Sequence, residues 1–168
     1  MPPRFPPPID RVLRILRVDW NPPRRQPSVL QVLLATALAI AGSLAVDAAL
    51  VALGTLVFPS TRGYGHFRFP DYAKLTVVGV VIASMGWPIV TRITSTPRWL
   101  FLRLAILVTA VLLVPDVWLL LKGQPGEAVI VLISMHLAIA LVTYNVLVHV
   151  APAARSEKQL VTDAQQRA

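Results

Sequence analysis

Residues 29–58 read VLQVLLATALAIAGSLAVDAALVALGTLVF, a run of thirty residues whose only charge is Asp47. A helix rises about 1.5 Å per residue, so about 20 apolar residues cross a bilayer core roughly 30 Å thick. The run is long enough to span with tilt or with one end protruding. It also exceeds the apolar core of a signal peptide, and no Ala-x-Ala site follows it, so it reads as a retained span. The Arg24-Arg25 pair ahead of it continues as Gln26-Pro27, a poor twin-arginine signal.

Three further runs follow the same rule. Leu75–Thr91 lies between Lys74 and Arg92, whose long side chains can snorkel to the interfaces. Trp99–Leu121 is interrupted by Arg103 near its start and Asp116 near its end, and Ala128–Val150 has no Lys, Arg, Asp or Glu. The expected organisation is therefore an all-α, integral membrane four-helix bundle with spans at about 29–58, 75–93, 99–121 and 128–150. A basic proline-rich segment, 1–28, precedes the bundle, and a polar tail, 151–168, follows it. The composition agrees: 55% of the 168 residues are hydrophobic and 14% charged. Soluble domains carry about 25% charged residues, so an ordinary soluble domain and a disordered chain are both excluded.

Lys and Arg in the short connections set the orientation. The N-terminal segment, the second connection with Arg103, and the tail together hold twelve; the first and third connections hold four. Both termini are thus expected in the cytoplasm. Within the N-terminal segment, Ile9, Val12, Leu13, Leu16 and Trp20 form a helical stripe between proline clusters. That pattern predicts a short amphipathic helix lying on the inner leaflet. The net charge of +8 sits at the ends of apolar runs rather than on one face, which favours anionic lipid over nucleic acid as its partner. Thirteen Arg against three Lys, with abundant Ala, Val and Pro, suggests a GC-rich bacterial genome and hence a bacterial plasma membrane.

Polar residues inside the spans are the candidate functional positions. A charge near mid-helix costs on the order of 2.5–3.5 kcal/mol to insert, so Asp47 should face protein, water or a proton. Thr36, Ser43, Asp47 and Gly54 are spaced to share one helical face. Counting from the outer ends, Asp47 lies about 16 Å deep and His136 about 12 Å deep, so the two can pair across helices. His136 shares its face with Ala140 and Thr143. Such a pair can relay protons or simply hold two helices together, and the second reading is preferred. Asp116, near the end of its span and after Pro115, is expected at the outer interface beside Trp118 rather than with Asp47. Ser43, Asp116 and Thr143 are the secondary intramembrane candidates. Ala41, Ala45 and Ala49 on the first span, and Thr76, Gly79 and Ala83 on the second, are small-residue stripes suited to close helix packing.

The inventory of reactive motifs is short. The sequence has no Gly-x-Ser-x-Gly elbow, Walker loop, His-Glu-x-x-His or dinucleotide-binding glycine pattern. It has no cysteine, and its histidines, 66, 136 and 149, lack metal-ligand spacing. No catalytic residue, cofactor or metal is expected. The protein reads as a non-enzymatic subunit that packs with itself or with a larger membrane complex. The alternative is a small oligomeric transporter or proton-coupled permease using Asp47 and His136.

Two stretches carry a resemblance: ASMGWPIVTRITSTPRWLFLRLAIL, residues 83–107, and ISMHLAIALVTYNVL, residues 133–147. Gly86-Trp87, Arg92, Pro97-Arg98 and Met135-His136 are the matching features. The chain resembles a family of uncharacterised four-helix membrane proteins found mainly in actinobacteria, over roughly residues 29–150. The resemblance implies a topology and a bacterial origin, with no activity, ligand or catalytic residue attached.

Overall fold

The computed structural model describes residue 23 and residues 25–153, and within them places four long helices and two short 3-10 turns. The helices are α1 (Val29–Val57), α2 (Phe69–Ile93), α3 (Pro97–Leu121) and α4 (Gly126–Val150). All four are long and apolar enough to cross a membrane, which makes this a multi-pass membrane protein. The expected amphipathic helix at 9–20 and nearly all of the polar tail lie outside the described residues.

Each boundary has a local cause. Ser28 caps α1: its Oγ accepts from the Gln31 N–H at 3.2 Å, while Gln31 Oε1 accepts from the Ser28 N–H at 2.9 Å. Pro59 stops the helix after Phe58 donates back to the Gly54 carbonyl. The second helix starts six residues before the charge-free run, at Phe69 rather than Leu75. Pro70 suits a first helical turn, where its missing N–H is no loss, and Asp71 complements the positive end of the helix dipole. Pro97 extends α3 by two residues in the same way. Gly123, at φ +80°, turns the chain out of α3 in a conformation that disfavours a Cβ.

Side-chain contacts identify the two ends of the bundle. At one end Gln26 donates to the Thr91 carbonyl at 3.0 Å, and the Trp87 indole N–H donates to the Ala151 carbonyl at 2.8 Å. The last residues of the N-terminal segment are therefore docked on the bundle. At the other end Ser60 Oγ donates to Glu127 Oε2 at 2.6 Å, joining the first connection to the start of α4. The first connection is built from the two 3-10 turns, Pro59–Thr61 and Gly65–Phe67, and is called the loop end below.

Helices α1 and α4 form the most extensive pairing, and α3 packs chiefly on α4. Apolar clusters occupy both ends: Trp87, Leu100, Phe101, Leu147 and Val148 at the Gln26 end, and Phe67, Tyr72, Val131, Leu132 and Met135 at the loop end. Large apolar side chains such as Leu33, Ile82, Leu107 and Leu141 point outward, as they should where the surrounding solvent is lipid. Trp87 is fully buried, and its hydrogen bond ties α2 to the end of α4. Trp87→Phe keeps most of the packing but leaves the Ala151 carbonyl unpaired, and is expected to cost about 1–2 kcal/mol of unfolding free energy. Chemical unfolding in mixed micelles measures this directly.

The stripe that packs α1 differs from the expected one. Ala41, Ala45 and Ala49 face outward, whereas Ala35, Ala39, Ser43 and Asp47 are buried at four-residue spacing and Gly54 continues their face. On α2 the buried stripe is Tyr72, Thr76, Val80 and Ser84, with Gly79 exposed. In both helices the polar residues, not the alanines or glycines alone, mark the inner face, because lipid solvates alanine but cannot hydrogen-bond a hydroxyl or carboxyl.

Candidate functional site

All four helices contribute a polar side chain to the interior on the loop-end half of the bundle. Asp47 on α1 is fully buried, and the Thr76 hydroxyl of α2 donates to its Oδ2 at 2.8 Å. Asp116 on α3 is 3% exposed, and its Oδ2 stands 2.9 Å from Nδ1 of His136 on α4, an ion-pair distance. Nδ1 is also 3.1 Å from the Leu132 carbonyl. A carbonyl only accepts, so Nδ1 carries a hydrogen, directed toward Leu132 with Asp116 beside it. Asp47 is near enough to His136 to interact with it electrostatically.

The expected Asp47–His136 pair is resolved into two contacts. Asp47 takes its hydrogen bond from Thr76, and His136 takes its ion-pair partner from Asp116. Asp116 does not reach the outer interface as the sequence suggested; it is buried, while Trp118 two residues on is exposed. The reason is helical phase. Thr109 and Asp116, seven residues apart, are the two buried polar residues of α3, and they occupy its single inner face.

The polar residues continue along the bundle. Counting from the loop-end termini at 1.5 Å per residue, Asp116 lies about 8 Å deep, Thr76 about 10 Å, and Asp47 and His136 about 15 Å. Thr109, Ser43, Ser84 and Thr143, all buried, follow at about 18–26 Å. The column ends against the aromatic stack of the Gln26 end, where Trp87 meets Phe101 edge-on at 5.1 Å and Phe101 stacks on Tyr144 at 6.0 Å. Among the described residues, Ser43 Oγ, Asp47 Oδ1, Ser84 Oγ and Thr143 Oγ1 are buried and make no hydrogen bond, and Asp116 Oδ2 has only its ion-pair contact. Buried polar atoms are nearly always paired, so such a run of unpaired ones marks a place suited to protons, water or a polar solute.

At the loop end Tyr64 lies over the cluster. Its phenol oxygen is buried without a hydrogen-bond partner among the described residues, and its ring meets those of Phe67 at 5.2 Å and His66 at 5.3 Å. Burial, then the Asp116 charge, push the phenol above its ordinary range. It therefore stays protonated at neutral pH. Sequence reading did not single out Tyr64, because a tyrosine in a connection carries no periodicity. Among the described residues no group of three or more His, Cys, Asp or Glu side chains has the geometry of a metal site. Arg103 is exposed, with its guanidinium 3.5 Å from the Trp99 ring.

Residues 23–153 match the family described as Family of unknown function (DUF6069), so the chain belongs to that family. No curated protein and no solved structure matches it.

Proposed function

We propose that this DUF6069 member is a proton-coupled transport protein of a bacterial plasma membrane, working as a homo-oligomer through the Asp47–His136–Asp116 cluster. One observation carries the reading: three ionisable side chains from three helices converge inside a membrane bundle, beside polar atoms that the fold does not satisfy. Ionisable groups inside membranes are expensive and mark proton or substrate pathways. A network kept only as helix glue would gain most by satisfying all its members. The alternative, an accessory subunit packing with a larger membrane complex, accounts for the helices but not for the unpaired column. Four helices enclose little volume, which is why an oligomer belongs to the proposal. No catalytic residue or cofactor is assigned, and the charge asymmetry supports a cytoplasmic position for the termini and the Gln26 end, against anionic lipid.

A pH step applied to proteoliposomes on a solid-supported membrane tests this without knowledge of the transported solute. Proton binding inside the bundle moves charge and gives a transient current. The wild-type protein is expected to give one, Asp116→Asn and Asp47→Asn to lose most of it, and Thr55→Val, outside the cluster, to keep it. Equal currents in all four proteins, or none in the wild type, would return the cluster to a packing role and favour the accessory subunit.

A further inference from the structure

His136 differs from its neighbours in the cluster. Asp47 is fully buried and the Asp116 side chain is 5% exposed, whereas the His136 side chain is 30% exposed. Yet the imidazole sits about 15 Å from the loop end, near the middle of the bundle. Both ends are closed. At the Gln26 end Trp87, Leu100, Phe101 and Leu147 pack together. At the loop end Phe67, Tyr72, Leu132 and Met135 do the same, with Tyr64 and Leu119 against them. The exposed part of the imidazole therefore opens sideways, toward lipid. The side chains around it agree: Leu137 next to it on α4, and Leu112 and Leu120 one turn either side of Asp116 on α3, are all exposed.

The two ring nitrogens have different surroundings. Nδ1 lies 3.1 Å from the Leu132 carbonyl and 2.9 Å from Asp116 Oδ2. With its hydrogen directed at that carbonyl, the uncharged ring leaves Nε2 as a bare acceptor. Nε2 makes no hydrogen bond among the described residues, and it is not enclosed as Ser43 Oγ and Thr143 Oγ1 are. Elsewhere along the helices, Thr55, Ser134 and Asn145 each donate to the carbonyl four residues back. A bare acceptor has no such recourse, because the helix offers it only carbonyls, and hydrocarbon offers it no water. We propose that Nε2 of His136 is the solute contact of this protein: it accepts a hydrogen bond from the hydroxyl of an amphipathic, lipid-dissolved compound that enters from the side of the bundle. The inference rests on the proton-binding reading above and names the class of solute. A neutral hydroxyl head suits the position, since an anionic head would meet the Asp116 carboxylate at the same ring. The apolar body lies against Leu112, Leu120 and Leu137. Asp116 is a positioning residue, holding the ring through Nδ1 while Nε2 faces the solute.

Nitrogen NMR of histidine-labelled, full-length protein in lipid nanodiscs tests this at the atom concerned. The signal lost in His136→Gln, and kept in His66→Gln and His149→Gln, identifies His136. Three probes then separate the possibilities: octylphenol, its methyl ether, which lacks the donor, and phenolsulfonate, a phenol that the bilayer excludes. Octylphenol is expected to shift the Nε2 signal saturably, with the methyl ether binding about tenfold more weakly, as loss of one hydrogen bond implies. Phenolsulfonate should leave the signal in place. An Nε2 unmoved by octylphenol, or moved equally by the ether, overturns the solute contact; a shift with phenolsulfonate overturns entry from lipid. In each of these cases a His136 signal that still titrates with pH preserves the proton-binding reading. A signal that neither titrates nor responds to octylphenol overturns both.

Discussion

His136→Leu is expected to be the most destabilising single change in the cluster, at about 3–4 kcal/mol near neutral pH, the lower part of the usual cost of stranding one member of a buried ion pair. The size follows from what remains. Asp116, with its side chain 5% exposed, loses its ion-pair partner and must either stay ionised in the bundle or take a proton. Neutralising a carboxyl of ordinary pKa at pH 7 costs about 4 kcal/mol, which caps the penalty. At pH 5 the same step costs about 1.5 kcal/mol, so the variant recovers most of its loss as the pH falls. The reverse substitution is milder. In Asp116→Leu, His136 is 30% exposed and keeps the Leu132 carbonyl as acceptor, so no buried group is stranded. The double variant should be more stable than His136→Leu alone, because it removes the stranded charge. Unfolding free energies in mixed micelles at pH 7 and pH 5 read all three. Equal and additive losses that ignore pH would show that Asp116 and His136 are not a pair.

Much of this architecture was legible in one dimension because the membrane enforces it. Long gaps between charges located all four helices, and the helix starts differ at Pro70 and Pro97, where proline opens a helix that a charge-based boundary cuts short, and at Gly126, two residues before the expected start of α4. The depth of Asp47 and its shared face with Ser43 and Gly54 were also readable, since both follow from helical spacing alone. Pairing across helices was not. Depth is a sum along one helix, but a contact also needs the rotation and lateral order of two helices, which packing decides. For that reason Asp47 and His136 can lie at similar depths while each takes its direct partner elsewhere. The signal for Asp116 was present: Thr109 and Asp116 are the two polar side chains in the apolar stretch 104–121, and their seven-residue spacing gives α3 one inner face. Tyr64 had no such signal. Its place over the cluster depends on two 3-10 turns and a left-handed glycine, none of which has a hydrophobic period.

Gly54→Leu should disable the cluster from two helical turns away. A Cβ at Gly54 would lie 2.6 Å from Cγ2 of Val131, closer than real Cβ contacts come, and Val131 is itself buried between helices. Gly42 repeats the close approach on the same pair, 3.1 Å from Cγ1 of Val142. Both contacts join α1 to α4, the helices that carry Asp47 and His136. Even Gly54→Ala forces Val131 or the helix axes to move, and overpacking of this kind costs about 1–3 kcal/mol. Leucine cannot be accommodated by a side-chain shift alone, so the helices must separate. Because Asp47 lies seven residues from Gly54, separation there draws its carboxyl away from the imidazole. The pH-step current should therefore fall in Gly54→Leu although no ionisable group has changed. Val131→Ala supplies the control: it opens space opposite position 54, and Gly54→Ala/Val131→Ala should lose less stability than the two single variants added together and should regain the current. A Gly54→Leu protein with full stability and an undiminished current would mean that the close α1–α4 approach does not position the cluster.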